Sequence, residues 1–273
     1  MTQVIRLRTP SSRGVLWQKE RLLNIGIERA PAHCEKIVWA DLDIDFLSDS
    51  WVRDLSRTLD THVVAQPFAW AYRMLSFEGQ DPANAGLDRE TVLSQIPTGA
   101  FDGQMLHSAG FGLSVLRSMN RSKDGIDARL RGHSGYACAA RRDFLRKVGG
   151  LYDKMITGGG DDVMAKAWQN MGVVGQGRDH FPPTLQHDAQ GWIDYVGSQT
   201  LGDVGFLKGV ILHHYHGSQS NRHYSMRMRI LRDHNFNPDT DIEQTPDGVW
   251  VWRNDPGAFA CRVVRGLLAR ALS

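Results

Sequence analysis

IVWADLDIDF, residues 37–46, is the stretch from which the rest of the chain is read. With Lys36 it begins as a continuous apolar run, KIVWA, of the kind that suits a strand buried on both faces of a parallel sheet. The run delivers three carboxylates, Asp41, Asp43 and Asp45, at its end. Ideal alternation puts all three on one side, and a turn beginning at Asp43 redirects the last. Three such charges repel one another unless something positive sits among them. Ligands of open α/β sheets bind beyond the carboxyl ends of strands, so the place suits a site. Hard carboxylate oxygens suit Mn²⁺ or Mg²⁺, usually one or two of them together with phosphate oxygens. The alternative is a solvated acidic loop that caps the next helix, and the triplet alone does not choose between the two.

Outward from this stretch the period of the apolar residues changes repeatedly. Residues 3–8 (QVIRLR) alternate roughly and predict a short strand, closed by Pro10 to Gly14. Over 17–30, Leu22, Leu23, Ile25 and Ile27 recur in a helical rhythm that Pro31 stops. A helix over 51–59 and a strand over 62–68 follow. Residues 69–134, with scattered Gly, Pro, Asp and Asn, read as loops and two short helices, an excursion long enough to suggest function. Regular signals return as a strand at 135–142, a helix at 142–148, a helix at 161–171, a strand at 208–216 and a helix at 222–233. Residues 248–253 alternate again, and 259–272 predict a basic amphipathic helix. Strand and helix in alternation define an α/β fold. One domain over 1–273 is expected, with parts at 1–68, 69–134, 135–253 and 254–273.

Two further clusters carry chemistry. Gly158-Gly159-Gly160-Asp161-Asp162 leads into a helix. The glycines let backbone approach a ligand and permit positive φ, and acids in a first helical turn are held ionised by the helix dipole. An ionised carboxylate there can act as a general base toward a hydroxyl. Taken in isolation, a glycine loop with an Asp cap is the commoner construction. His213-His214-Tyr215-His216-Gly217 closes the strand KGVIL, and three imidazoles within four positions favour a ligand role with Mn²⁺ over Mg²⁺. A zinc hydrolase has no support, because HExxH is absent and no cysteine lies nearby. The arginines 222, 227, 229 and 232 read as a solvated helix face, with phosphate binding as the alternative.

Composition narrows the classes. Apolar residues make up 41% and charged residues 23%, which excludes disordered and low-complexity chains. Lys plus Arg number 32 against 30 for Asp plus Glu, a net charge of +2, so no stable nucleic-acid partner is expected. Cys34, Cys138 and Cys261 form neither a disulfide framework nor a zinc site, which favours a reducing compartment. No stretch reaches the ~20 apolar residues of a membrane span, and the amino terminus lacks an apolar signal core. A cytoplasmic location is expected. The 259–272 helix could rest on an acidic membrane surface, with packing onto the domain favoured.

In this order, LWQKERLLN (16–24), IVWADLDIDF (37–46), GYACAARRDFLRKVGGLYDKMITGGGDD (135–162), HHYHG (213–217) and NRHYSMRMRIL (221–231) resemble the metal-dependent nucleotide-sugar glycosyltransferases of the GT-A fold. The likeness is to the glycosyltransferase family 2 group with a β-1,4-galactosyltransferase-like C-terminal half, and it runs from about residue 3 to about residue 253. The resemblance implies a Rossmann-like mixed sheet flanked by helices, a UDP-sugar donor, Mn²⁺ or Mg²⁺, and a glycan acceptor. It places Asp41 and Asp43 on the DxD motif, Asp43 binding metal and Asp41 lying by the donor. It places Lys19, Asn24, Gly158 and Gly159 on the donor side, Asp161 as the base with Asp162 beside it, and His213 or His216 at the metal. Gly160 stands where the pattern has glutamate, which removes one acceptor contact. The first strand–helix–strand segment of the fold has no counterpart before LWQKE, so association with another chain is an expectation. The implied activity is inverting hexosyl transfer to a surface glycan. A catalytically incomplete nucleotide-sugar-binding module and a sugar transferase acting on nucleic acid are the alternatives.

Overall fold

The computed structural model describes residues 4–9, 13–74, 105–109, 132–171, 181–214 and 224–254. They form a mixed α/β structure with mixed sheets flanked by helices. Chain contacts divide it into two compact units. One comprises Met1–Glu35, Arg142–Gly202 and Ser218–Ser273, and the other comprises Lys36–Arg141 and Asp203–Gly217.

The second unit holds both large sheets. The first has the order β1 (Lys36–Ala40), β6 (Ala137–Arg141), β3 (Val64–Gln66), β7 (Val204–Phe206). The other has the order β2 (Ile44–Phe46), β8 (Val210–His213), β4 (Trp70–Met74), β5 (Met105–Ala109). Three short segments therefore lead from the first sheet into the second, β1 to β2, β3 to β4 and β7 to β8. The passage is short each time, and cross-links hold it. Leu207 N–H donates to Gln66 O (3.0 Å) and Ala69 N–H to Gly209 O (2.8 Å). Helix α2 (Trp51–Thr61) lays Leu55 and Leu59 against Ala65 and Ala139 of the first sheet. Phe68, Ala71, Tyr136, Ala137 and Ile211 form another buried cluster, with Ile44 and Phe46 against it. Each large apolar side chain in these clusters contributes on the order of 1–3 kcal/mol by burial.

The strand at 36–40 forms where the apolar run predicts it, with a different environment. It pairs antiparallel with β6, Lys36 opposite Arg141 and Ala40 opposite Ala137, and stands at the end of the described strand order. Trp39 is buried while Val38 is 43% exposed, so one face of the run is covered rather than two. An apolar run reports side-chain hydrophobicity and is silent about position in the order. Residues 4–9, where alternation predicts a strand, have no regular secondary structure.

The first unit is helical. It contains α1 (Lys19–Arg29), α3 (Arg142–Lys147), α4 (Gly160–Trp168), α5 (Pro183–Thr200), α6 (Tyr224–Asp233), α7 (Pro238–Asp241) and the hairpin β9 (Ile242–Gln244) with β10 (Trp250–Trp252). Its core includes Trp168, Leu185, Ile193, Phe236 and Trp252, the last two meeting edge to face with centroids 6.2 Å apart. Helix α5, with Pro183 at its first turn, lies in a region to which periodicity assigns no element. No helix among the described residues is long and apolar enough to cross a membrane. The amphipathic stretch at 259–272 and most of 69–134 lie outside the described residues.

Helix α1 turns Glu20, Arg21, Asn24 and Ile25 inward and leaves Leu22 47% exposed. The four carbonyls at a helix C-terminus lack intrahelical donors. Here the buried Arg142 guanidinium supplies them, donating to Ile27 O (3.2 Å), Ala30 O (2.7 Å) and Pro31 O. Replacing Arg142 with Ala strands those acceptors inside the protein, and is expected to cost about 3 kcal/mol. Arg142→Lys, whose donors radiate from one nitrogen and cannot span the fan, should recover less than half of that. Urea unfolding midpoints of the three proteins measure both effects, and a lysine variant as stable as wild type would contradict the capping role.

Candidate functional site

Asp41, Leu42 and Asp43 make the passage from β1 to β2. Asp41 N–H donates to Tyr136 O (2.7 Å), and Asp43 O accepts from His214 N–H (2.8 Å). The turn is thus pinned at both ends, to the entry of β6 and the exit of β8. Leu42 between the acids is fully exposed. Asp43 Oδ2 lies 3.5 Å from Nε2 of His213, which is 3% exposed. The His213 ring rests at 50° against Tyr136, centroids 4.8 Å apart, and His133 stacks on Tyr136 at 4.0 Å. Tyr136 has φ 74, a left-handed conformation uncommon for a bulky side chain. One strained residue therefore holds the backbone of the acidic turn and supports the imidazole beside it.

Of the two sequence-predicted histidines among the described residues, His213 is the one the structure brings to Asp43. His214 points to Asp45 instead, Nε2 to Oδ2 2.7 Å, in an exposed pair. His216 lies outside the described residues. One hard oxygen and one imidazole nitrogen 3.5 Å apart can share a divalent cation with bonds of about 2.1 Å. No group of three or more His, Cys, Asp or Glu able to hold a metal occurs among the described residues. The donor pair fits a cation that takes its remaining ligands from water and phosphate, as Mg²⁺ usually does.

The other acids gather in the helical unit, at the start of α4. Gly158 and Gly159 have φ 90 and 97, and Gly159 caps α4 without a side-chain hydrogen bond. The glycine loop hangs from neighbouring elements. Trp17 N–H donates to Ile156 O (2.9 Å), and Arg227 Nη1 to Thr157 O (3.2 Å). Arg227, expected on a solvated face, is buried; Arg229 and Arg232 are exposed and pair with Asp233. The two adjacent aspartates part company. Asp162 turns outward to Lys166 (2.6 Å), one helical turn on. Asp161 is the half-buried one, and its charge bears on Glu20.

Lys19 and Asn24, expected on the donor side, lie on α1 in the same unit. Asn24 is fully engaged. Its Oδ1 accepts from Leu151 N–H (2.8 Å), and its Nδ2 donates to Leu151 O (2.9 Å) and Asp153 Oδ2 (3.0 Å). Asp153 Oδ2 also takes Arg21 Nη1 at 3.1 Å, and Arg21 Nε reaches Gly248 O at 2.6 Å. Asn24 thus fixes the segment that leads toward α4.

Glu20 is the residue that sequence reasoning missed. It is 5% exposed. A Cβ added at Gly160 would come within 2.9 Å of its carboxyl carbon and 3.0 Å of Oε1. Glu20 therefore fills the space that a side chain at position 160 would need. Burial is the largest influence on its carboxyl, which is pushed up to about 7; Asp161 and Asp153 push the same way, while its own backbone N–H and Lys19 oppose. The signal was available in the polar i, i+1, i+4 stripe Glu20, Arg21, Asn24, together with a glycine at the first position of an acidic helix start.

Comparison with protein families, with curated proteins and with solved structures gives no match.

A carboxyl raised from 4.5 to about 7 on folding favours the folded state fully below about pH 4.5. That contribution is lost as pH rises through 7. Ionised Glu20 then costs on the order of 3 kcal/mol. Glu20→Gln should leave stability near that of wild type at pH 4.5 and raise it by about 1–3 kcal/mol at pH 8. Unfolding midpoints at the two pH values test this, and a pH-independent difference would contradict the raised proton affinity.

Proposed function

We propose that this chain is a metal-dependent glycosyltransferase of GT-A type that moves a hexose from a UDP-sugar to a glycan hydroxyl with inversion. The observation that carries the reading is the pairing of Asp43 with His213. Two segments far apart in sequence bring a hard oxygen and an imidazole nitrogen together at the end of β1, beside the second acid of a DxD sequence. The ordered resemblance to β-1,4-galactosyltransferase-like family 2 enzymes supports the same reading.

The chemistry asked of the residues is as follows. The bond from the anomeric carbon to the UDP diphosphate breaks as the acceptor oxygen forms a bond on the opposite face. The acceptor's proton passes to a base, and the diphosphate leaves with its negative charge. Asp43 and His213 would hold Mn²⁺ or Mg²⁺, whose positive charge offsets that of the leaving diphosphate. Asp41, with its backbone fixed by Tyr136, presents a carboxylate to the donor's hydroxyls. Asp161 sits in the first turn of α4, where the helix dipole keeps it ionised and able to take the acceptor proton. Asp162, bound to Lys166, keeps the start of α4 in place. Attack opposite to the leaving group inverts the anomeric centre.

Calorimetry with UDP tests the donor half. Binding is expected only with Mn²⁺ or Mg²⁺ present, and Asp43→Ala or His213→Ala should weaken it at least tenfold. Equal UDP binding with and without metal would remove the cation assignment. The acceptor half is read by turnover. Asp161→Asn should lower kcat by about 10²–10⁴ with UDP affinity unchanged, whereas Asp162→Asn should lose less than tenfold. Full activity of the Asp161 variant would sink the base assignment.

A further inference from the structure

Tyr136 stands at the entry of β6 with φ 74, a conformation that suits glycine and is uncommon for a residue with a large side chain. Its backbone task does not need the ring. The Tyr136 carbonyl accepts from Asp41 N–H (2.7 Å), and a glycine there would offer a carbonyl at the same φ without strain. What the side chain adds is a set of ring contacts. His133 stacks on it at 4.0 Å with 12° between the planes, and Phe68 lies tilted at 6.0 Å. The His213 imidazole rests on it at 4.8 Å and 50°. His133 is itself held, its Nδ1 accepting from Gly135 N–H (3.0 Å) and its carbonyl from Nε2 of the buried Gln66 (3.0 Å). A chain of contacts therefore runs from Gln66 through His133 and Tyr136 to His213, which faces Asp43 at 3.5 Å.

Resting on the reading of Asp43 and His213 as a cation pair, we infer that Tyr136 is the positioning residue of that pair: its ring sets the plane of the His213 imidazole, and its carbonyl sets the acidic turn. The backbone of His213 needs no further help. It lies in β8 between two strands, opposite Ile44 of β2 and Arg73 of β4. The ladder leaves the imidazole plane undetermined, since the last torsion of histidine is broad rather than confined to narrow wells. A half-turn about that torsion puts the carbon Cε1 where Nε2 stands, and a smaller turn swings Nε2 away from Asp43. The face of the Tyr136 ring limits both. Partners that orient a metal ligand are worth much of its affinity, because a cation needs every donor at bonding distance at once. The competing role is to fill the cluster of Phe68, Ala71, Ala137 and Ile211. Filling needs apolar volume and no flat face, so the two roles part when the ring is replaced by a branched chain.

The experiment uses the full chain and counts free Mn²⁺ by electron paramagnetic resonance, with UDP present, for wild type, Tyr136→Phe and Tyr136→Leu. Circular dichroism confirms that each is folded. In parallel, ¹⁵N-histidine labelling shows which imidazole Mn²⁺ broadens. Wild type should bind Mn²⁺ and broaden His213 ahead of His214. Tyr136→Phe, which keeps the ring, should bind within about threefold of wild type. Tyr136→Leu, which keeps apolar volume without a flat face, should bind roughly tenfold or more weakly and lose the selective broadening of His213. Where the leucine variant does not fold, His133→Ala removes the outer ring of the stack and should weaken Mn²⁺ binding about three- to tenfold. A folded Tyr136→Leu with wild-type Mn²⁺ affinity overturns the role of Tyr136, as does Tyr136→Phe as weak as the leucine variant. Wild-type affinity in His133→Ala overturns it where that variant carries the test. Loss of Mn²⁺ binding by Asp43→Ala in the same assay then leaves the cation pair standing. No Mn²⁺ binding by folded wild type overturns the cation reading and this inference with it.

Discussion

Helix α1 carries its polar residues inward, and the helical unit is organised by how they are satisfied. A buried guanidinium and a buried amide each need several partners, and those partners must be held to within a few tenths of an ångström. Arg21 and Asn24 find them in Asp153, Leu151 and Gly248. Arg142 finds its own in the last carbonyls of α1. These bonds fix the helix at both ends and along one face. They also fix the segment 151–157, which is tied to α1 at Leu151 and Asp153 and to Trp17 at Ile156. The glycine loop and the acidic start of α4 follow directly from that segment. An apolar α1 would pack more cheaply but would give the loop no defined register, since hydrophobic contact has no direction.

In the sheet unit the corresponding constraint is the repeated passage of the chain between sheets. Where a strand leaves one ladder before it joins the next, its backbone groups need other partners, and its side chains are freed from strict alternation. Both consequences meet at Asp41–Asp43. Backbone bonds to Tyr136 and His214 satisfy the turn. The break in alternation lets Asp43 face the buried His213 while Asp45, two residues on, faces the exposed His214. An uninterrupted strand would send both acids the same way. The acids at the end of β1 are therefore separated in role by the turn itself.

Much of this was legible in the sequence. KIVWA, the helix after it and the strand–helix pair around Arg142 are where periodicity puts them, because each is a short element bounded by clear breakers. The Gly-rich entry to α4 is legible for the same reason. The inward face of α1 was not. Leu22, Leu23, Ile25 and Ile27 give a helical rhythm, yet of these Ile25 alone is buried, and the partners that hold Arg21 and Asn24 inward lie more than a hundred residues away. Helix α5 escaped because Leu185, Ala189, Ile193 and Val196 are diluted by Gln, His, Asp and Gly, although their spacing is helical. The pairing direction of β1 is a property of its neighbour, Ala137–Arg141, and cannot be read from β1.

The same non-local coupling explains a departure in the acidic motif. The pattern that 158–162 resembles has glutamate where this chain has Gly160, which on sequence grounds reads as the loss of an acid. The structure brings a carboxyl to that volume from another helix: a Cβ at position 160 would lie 2.9 Å from the Glu20 carboxyl carbon, so a side chain there would require Glu20 to shift. A side chain at 160 would stand on the helix start and be carried by it. Glu20 instead approaches from α1, whose setting is fixed by Arg21, Asn24 and Arg142, so its place against Gly160 depends on a buried polar network rather than on one turn of helix. Burial that raises the proton affinity of Glu20 also makes the ionised protein less stable, so the packing that seats Glu20 against Gly160 costs stability as pH rises through about 7.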